Sequence, residues 1–324
     1  MTMKTAFRTA YGPPDVLTIR DVPVPELGPG EILVRVHAAT VNRTDCGALW
    51  GRPYVFRFFV GWPRPRVPAT GTDFAGEVVA TGAEATRFSL GDRVMGFNDT
   101  NLGSHAQYLC VSEREPIVVI PEGVPFDAAA ASMEGAHYAR NFIDAVPLKP
   151  GDSVLVNGAT GAIGSAAVVL LKNAGARVTA VCAEANRPAV AALGADRTLD
   201  YTETPFTEQL RGESFAFVFD AVGKSTFAAC RPLLRETGAY LSSELGPRGQ
   251  NPILALVAPL MRGPKVRFPI PHNIAGTLAL VAPLLANGTY RPLIDRHYAL
   301  EDIREAFAYA DSGQKIGNVL LTFD

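Results

Sequence analysis

Gly158, Gly161 and Gly164 stand three residues apart in the run Asn157-Gly158-Ala159-Thr160-Gly161-Ala162-Ile163-Gly164. Glycine has no Cβ. Gly158 and Gly161 therefore let the backbone come close to a ligand, and Gly164 lets a helix press against the strand before it. The chemistry this suits is pyrophosphate binding, because a helix N-terminus just beyond the turn offers unpaired N–H groups and the positive end of a dipole. Val154-Leu155-Val156 before the turn reads as a buried strand. After it, Ile163, Ala167, Leu170, Leu171 and Ala174 recur at helical spacing. Strand, tight turn and helix together predict a dinucleotide-binding turn in which Asn157, Gly158, Thr160, Gly161, Ala162, Ile163 and Gly164 face the cofactor. A glycine-rich turn that serves packing alone has the same spacing.

The elements that position this turn follow from the pattern around it. Beyond it, strand-like runs at 177–181, 198–199, 215–219, 239–241 and 266–268 alternate with helical runs at 187–193, 207–210, 227–234 and 254–261. Such alternation predicts an α/β doubly wound parallel sheet, with ligands at the carboxyl ends of its strands. Residues 126–146 read as one alanine-rich helix ended by Pro147. Before them, short strands at 31–38, 77–80, 93–96 and 105–111, separated by Gly and Pro turns, predict a barrel-like domain, with His105 on a strand. After 271 come a helix at 274–286, a strand-like piece at 290–298, a helix at 301–311 and a last strand at 318–323.

Bulk properties exclude several classes. A chain of 324 residues suggests two domains, and 48% apolar against 19% charged residues excludes wholesale disorder. The net charge of −2 gives no basic footprint for nucleic acid. Cys46, Cys110, Cys182 and Cys230 are far apart, with no C-x-x-C pair, which fits free thiols in a reducing compartment. No apolar run is long enough to span a bilayer and the first residues lack a signal-peptide core, so a cytoplasmic protein is expected. Residues 48–70 are unusual: Trp50, Tyr54, Phe56, Phe58, Phe59 and Trp62 interleave with Arg52, Arg57, Arg64 and Arg66. That composition suits single-stranded nucleic acid, a membrane surface, a loop packed over an apolar face, or the wall of a substrate pocket. The acidic total speaks against the first two, so neither nucleic acid nor membrane is expected as a partner.

Several pieces together resemble the medium-chain dehydrogenase/reductase superfamily, nearest to its zinc-independent, zeta-crystallin-like quinone oxidoreductase branch. They are residues 11–17, Val41-Asn42-Arg43-Thr44-Asp45, Gly71-Thr72-Asp73-Phe74-Ala75-Gly76-Glu77-Val78, Gly91-Asp92-Arg93-Val94, residues 157–164, Leu193-Gly194-Ala195-Asp196, and residues 313–319. The resemblance covers nearly the whole chain. It implies a Rossmann dinucleotide-binding domain over 124–271 and a GroES-like β-barrel-type catalytic domain over 1–123 and 272–324. It also implies a homodimer joined through the strand at 266–268.

Zinc alcohol dehydrogenases of that superfamily carry a cysteine ligand where this chain has Asn42, and a Gly-His-Glu motif where it has Gly71-Thr72-Asp73. The region 96–105 has no cysteine for their structural zinc lobe. No metal is expected. The resemblance then implies hydride transfer from NADPH, with NAD possible, to an already activated acceptor, a quinone or an α,β-unsaturated carbonyl. The alternatives are a zinc-free dehydrogenase or reductase of another carbonyl substrate, as in secondary metabolism, and a non-catalytic nucleotide-binding scaffold.

Asn42 stands at the branch's active-site asparagine, and either donates to the acceptor's carbonyl oxygen or to the nicotinamide ribose, or caps a turn. Gly47 replaces the branch's frequent tyrosine, and Tyr54 is a candidate substitute. His137 is either a proton donor beside the nicotinamide or a polar residue on a helix with no catalytic part. At the end of the second Rossmann strand, Cys182 stands where NAD enzymes place an acid. Arg187 suits a 2′-phosphate, whereas Glu184 repels one or bonds a ribose diol. Val222, Ser242 and Ser243 follow later strands, and Lys315, Gly317 and Asn318 match a segment that approaches the cofactor.

Overall fold

The computed structural model describes residues 1–54, 57–100, 102–260 and 262–323, and of Phe59 the backbone only. Phe56 and the Phe59 side chain, from the aromatic segment, and Met261, at the end of an expected helix, lie outside the described residues. The strands in chain order are β1 (Thr2–Phe7), β2 (Thr18–Pro23), β3 (Glu31–Val41), β4 (Asp73–Thr81), β5 (Arg93–Phe97), β6 (Tyr108–Ser112), β7 (Ile117–Val119), β8 (Ser153–Asn157), β9 (Arg177–Cys182), β10 (Arg197–Asp200), β11 (Phe215–Asp220), β12 (Leu234–Ser242), β13 (Lys265–Arg267), β14 (Ile294–Ala299) and β15 (Asn318–Thr322). Among the described residues no helix is long and apolar enough to cross a membrane, and all four cysteines are unpaired.

The chain forms two compact units, Met1–Glu134 with Ile274–Asp324, and Gly135–Asn273. The first is the GroES-like unit. β1 and β2 form an antiparallel pair, and a seven-stranded sheet runs β14-β15-β3-β4-β5-β7, with β6 also on β3. The first half of β3 alternates, putting Ile32, Val34 and Val36 inward. From Ala38 both faces are covered, so the alternation disappears. Ile32, Val34, Phe74, Val78, Val94, Leu109 and Ile117 make one core. Leu17, Val41, Leu49, Ile303, Phe307 and Val319 make another, under the helices Arg43–Trp50 and Ile303–Asp311.

The second unit is the Rossmann sheet. Its six strands are all parallel, in the order β10-β9-β8-β11-β12-β13. Numbered from β8, this is the order 3-2-1-4-5-6 of doubly wound dinucleotide-binding sheets, and the order reverses between β8 and β11. β11 is buried along its whole length, as a central strand covered on both faces must be.

Four expectations need correction. The helix expected over 227–234 ends at Cys230, and β12 begins at Leu234 rather than at 239. The expected single helix over 126–146 is two, Phe126–Ala131 and Glu134–Asp144. The Ser132 hydroxyl donates to the Ala129 carbonyl at 2.7 Å, and this local bond ends the first helix. His105 lies outside a strand, since β6 begins only at Tyr108. The strand expected from 290 begins at Ile294.

Candidate active site

In the second unit the strand register lines up the residues that the glycine spacing singles out. Asn157 at the end of β8 is level with Asp220 of β11, Asp220 with Ser242 of β12, and Cys182 of β9 with Asp200 of β10. Asn157, Asp220 and Ser242 thus form one row along the carboxyl edge of the sheet, with Val181 of β9 level with Asn157 and Cys182 one residue beyond it. Gly158 has a positive φ of 80°, and a Cβ there would meet the Val222 side chain at 2.7 Å. Gly161 caps the helix Ala162–Asn173 with no side-chain bond to the helix's first N–H groups. A Cβ on Gly164 would lie 2.1 Å from the Gly158 carbonyl oxygen, so only glycine lets helix and turn close. Ala162 and Ile163 are buried in the first turn, and Thr160 is half-buried.

A residue missed from sequence holds this edge together. Asp220 is fully buried. One carboxylate oxygen accepts from Asn157 Nδ2 at 2.9 Å and Gly223 N–H at 3.0 Å. The other accepts from Tyr240 OH at 2.8 Å and Ser225 N–H at 3.1 Å. Asn157 is thereby a structural partner of Asp220, and Val222 sits in the turn that Asp220 fixes. The signal available in the sequence was an acid ending an otherwise apolar strand. Ser242 Oγ accepts from Glu244 N–H at 3.2 Å. Ser243 Oγ is buried without a protein partner among the described residues. An uncapped helix start, an open glycine turn and an orphaned hydroxyl on one edge fit a nicotinamide dinucleotide, with the turn and helix start taking the pyrophosphate.

At the end of β9, Cys182 is buried, and burial pushes its thiol up to about 11. The opposed sequence signals of Glu184 and Arg187 resolve as an ion pair at 2.8 Å. Arg187 Nε also donates to Thr198 Oγ1 at 3.0 Å. His137 is buried, and Asn141 donates to its carbonyl at 2.7 Å while accepting from His272 N–H at 3.1 Å. Burial first, then the charge of Arg140, holds the His137 imidazole at about 4. The ring is thereby held neutral at pH 7.

In the first unit Asn42 caps the helix Arg43–Trp50. Its Oδ1 accepts from Asp45 N–H at 2.9 Å, and Asp45 Oδ2 accepts from Asn42 N–H at 3.1 Å. Its amide nitrogen donates to Thr72 Oγ1 at 2.8 Å and lies 3.2 and 3.3 Å from Thr40 Oγ1 and Asp73 Oδ2. Asn42 is fully buried and both its amide hydrogens have protein acceptors. The side chain caps and ties; it does not hold a donor free for a carbonyl. Asp73 accepts from Thr40 N–H at 2.6 Å and Thr40 Oγ1–H at 2.5 Å. Burial pushes its carboxyl up to about 7 against those bonds. Burial, then the charge of Asp73, also pushes Asp45 well above the usual carboxylate range. His105 completes the cluster. Its Nε2–H donates to the Thr40 carbonyl and its Nδ1 accepts from Thr70 Oγ1, both at 2.9 Å, and burial holds it neutral, at about 4.

The positions at which zinc relatives carry a cysteine and a histidine are here an amide and a hydroxyl bonded to each other. Among the described residues no three His, Cys, Asp or Glu side chains are grouped to hold a metal. This donor set does not fit a catalytic zinc.

Tyr54 is exposed, with the Arg57 guanidinium 4.8 Å from its ring centroid. Lys315 donates to the Gly317 carbonyl at 2.7 Å, and burial lowers its pKa against the opposing pull of Glu134. Gly317 has a φ of 74°, and a Cβ there would lie 2.2 Å from the Leu293 carbonyl oxygen. Asn318 Nδ2 donates to that same oxygen at 2.9 Å, so this side chain holds its own loop. The structure thus gathers residues 157–164, Cys182, Val222, Ser242 and Ser243 along one edge of the second unit. Asn42, Tyr54, Lys315, Gly317 and Asn318 belong to the first.

Comparison with known proteins agrees with both units. Residues 28–122 match the alcohol dehydrogenase GroES-like domain and residues 193–321 the zinc-binding dehydrogenase family. The chloroplastic quinone-oxidoreductase QR1 of Triphysaria versicolor is 29% identical over 316 residues, 93% of this chain and 92% of that protein. The 2-methylene-furan-3-one reductase of Solanum lycopersicum is 28% identical over 331 residues, 98% of this chain and 79% of that protein. The solved quinone oxidoreductase from Coxiella burnetii superposes with a TM-score of 0.85 at 26% identity, covering 99% of both chains. A GroES-like unit, a Rossmann sheet with its glycine turn, and full-length similarity to quinone oxidoreductases identify the chain as a member of the medium-chain dehydrogenase/reductase superfamily, in its quinone oxidoreductase branch, whose members bind nicotinamide dinucleotides.

Proposed function

We propose that the protein is a zinc-independent reductase that transfers a hydride from NADPH to a quinone or an α,β-unsaturated carbonyl. The observation that carries this reading is the 2.8 Å bond between Asn42 and Thr72, which occupies the two positions where a zinc alcohol dehydrogenase would keep metal ligands. Without a Lewis acid, saturated alcohols and ketones are poor substrates, and the acceptor must already be activated. The bound dinucleotide supplies the hydride, two electrons and one hydrogen, and the reduced acceptor takes a proton from water.

The chain's contribution is position. Asp220 fixes the carboxyl ends of β8, β11 and β12 for the cofactor. Asn42 fixes the end of β3 against Thr72 and Asp73, acting as a positioning residue. Tyr54, the exposed member of the expected acceptor-side set, is the candidate for direct contact with the acceptor. His137 sits inside the helix Glu134–Asp144, where Asn141 bonds its carbonyl, and Asn318 holds its own loop.

Arg187 supports a preference for NADPH, as the cation that a 2′-phosphate needs at the end of β9. The Glu184 carboxylate already on it leaves room for NADH as a weaker cofactor. A homodimer through β13 is part of the reading. β13 pairs only with β12 among the described residues and so leaves one edge open, and Ile253, Leu256, Leu260 and Ile270 of the same unit are exposed. Oxidation of NADPH by a simple quinone and by an enone, with and without chelator, tests the proposal; turnover of a saturated ketone that chelator abolishes would overturn it.

A further inference from the structure

The described part of the segment between the helix Arg43–Trp50 and β4 is built to hold apolar side chains in water. Phe58 and Trp62 are 67% and 62% exposed and stack on each other, with centroids 5.6 Å apart and planes at 11°. Val67, 48% exposed, and the exposed Pro53 and Pro63 extend the apolar surface.

The frame under these side chains is tied down. Arg57 Nε and an Nη donate to the Gly51 and Trp50 carbonyls at 3.1 and 2.9 Å, and its guanidinium lies over Tyr11. Tyr11 OH donates to the Gly61 carbonyl at 2.9 Å. Gly61 N–H donates to the Arg57 carbonyl at 2.8 Å and Arg66 N–H to the Val60 carbonyl at 3.0 Å. Gly61 has a φ of 130°, and a Cβ there would strike the Arg64 carbonyl. The aromatic pair is therefore presented by fixed backbone.

Its charge has one sign. Residues 46–72 contain Arg52, Arg57, Arg64 and Arg66 and no acid, in a chain whose total is −2. Arg52, Arg64 and Arg66 are exposed and have no carboxylate partner among the described residues. Aromatic rings flanked by arginines without carboxylate partners, Arg52 lying over the Trp50 ring at 4.5 Å, match a surface that is apolar inside and anionic at its face. A single strand of nucleic acid needs successive ring faces along its path, whereas here one stacked pair stands among Val67 and prolines that offer a base nothing to stack on, in a chain of net charge −2.

We propose, against the expectation drawn from the chain's total charge, that this segment docks the protein on anionic lipid surfaces through its local positive charge, with Phe58, Trp62 and Val67 entering the interface and Arg52, Arg64 and Arg66 pairing with headgroup phosphates. The proposal does not depend on the identity of the hydride acceptor.

The test is co-sedimentation with phosphatidylcholine vesicles with and without phosphatidylglycerol, alongside tryptophan fluorescence. The chain has only Trp50 and Trp62, and Trp50 is bonded to Asp311, so Trp62 reports insertion. The intact protein is expected to sediment with the anionic vesicles only, to show a blue-shifted emission there, and to be released by salt. Arg64→Gln with Arg66→Gln should weaken binding about fivefold per arginine, roughly 25-fold in all. Trp62→Ser should abolish the blue shift. Unchanged circular dichroism and thermal unfolding certify that the variants fold, since the mutated residues lie in the first unit. Four results overturn the proposal: no anionic-vesicle binding at low salt, binding unchanged in the arginine variant, binding to a single-stranded oligonucleotide but not to vesicles, or a changed oligomeric state in Trp62→Ser without vesicle binding by the intact protein.

Discussion

Asp73→Asn should reverse the sign of its own effect on stability between acid and neutral pH. The folded protein holds the Asp73 carboxyl at about 7, against 3.8 for the free group, and the cause is burial. Below about pH 4 both states are protonated and the stabilisation is fully present. As pH rises, the unfolded chain loses this proton first, so stability falls until pH passes the folded value near 7. The interval is about 3 pH units at about 1.4 kcal/mol each, or about 4 kcal/mol. Asparagine does not titrate, but its NH2 faces the Asn42 amide and the Thr40 hydroxyl where the carboxylate accepted. That mismatch costs about 1–3 kcal/mol at every pH. The variant should therefore be the less stable protein near pH 4 and should gain about 4 kcal/mol on the parent by pH 8. His105 and His137, held neutral at about 4, lose stability as pH falls, but they do so in both proteins and cancel in the difference. Asp45, raised in part by Asp73, shifts the difference in the same direction. The assay is urea unfolding followed by tryptophan emission, since Trp50 and Trp62 lie in the same unit as Asp73. A stability difference that does not change with pH would refute the reasoning.

Arg187→Ala should weaken NADPH binding about 10- to 100-fold, one charge-assisted contact, and leave NADH nearly unchanged, while Glu184→Gln should widen the preference for NADPH; titration of each cofactor checks both. Gly164→Ala places a Cβ 2.1 Å from the Gly158 carbonyl oxygen and should cost about 1–3 kcal/mol of stability together with cofactor affinity, read by thermal unfolding and NADPH titration. Leu256→Glu with Leu260→Glu, at positions 81% and 88% exposed, should convert a dimer to a monomer in sedimentation velocity; an unchanged mass would exclude this face.

The Rossmann sheet was legible because its signals are local. A short apolar run, glycines three apart and a helical repeat occupy neighbouring residues, and parallel strands buried on both faces read as apolar runs. The GroES-like unit was legible mainly as separate strands and turns. The pairing of β3 with β4, β6 and β15 joins residues far apart in sequence, which no local pattern encodes. The break at Ser132 was hidden because alanine-rich stretches on both sides favour helix and one hydroxyl ends it. The role of Asn42 depended on partners thirty residues away, at Thr72 and Asp73, so its type alone left donor and cap undecided. Glu184 and Arg187 carry opposite signals as separate residues, and only their contact at 2.8 Å shows that each answers the other.

The measurement that tests the central claim most directly is NADPH oxidation against a quinone, an enone, an aldehyde and a saturated ketone, each with and without chelator. The account predicts turnover of the quinone or the enone, preferring NADPH and indifferent to chelator. Turnover confined to the aldehyde or ketone and abolished by chelator would contradict it.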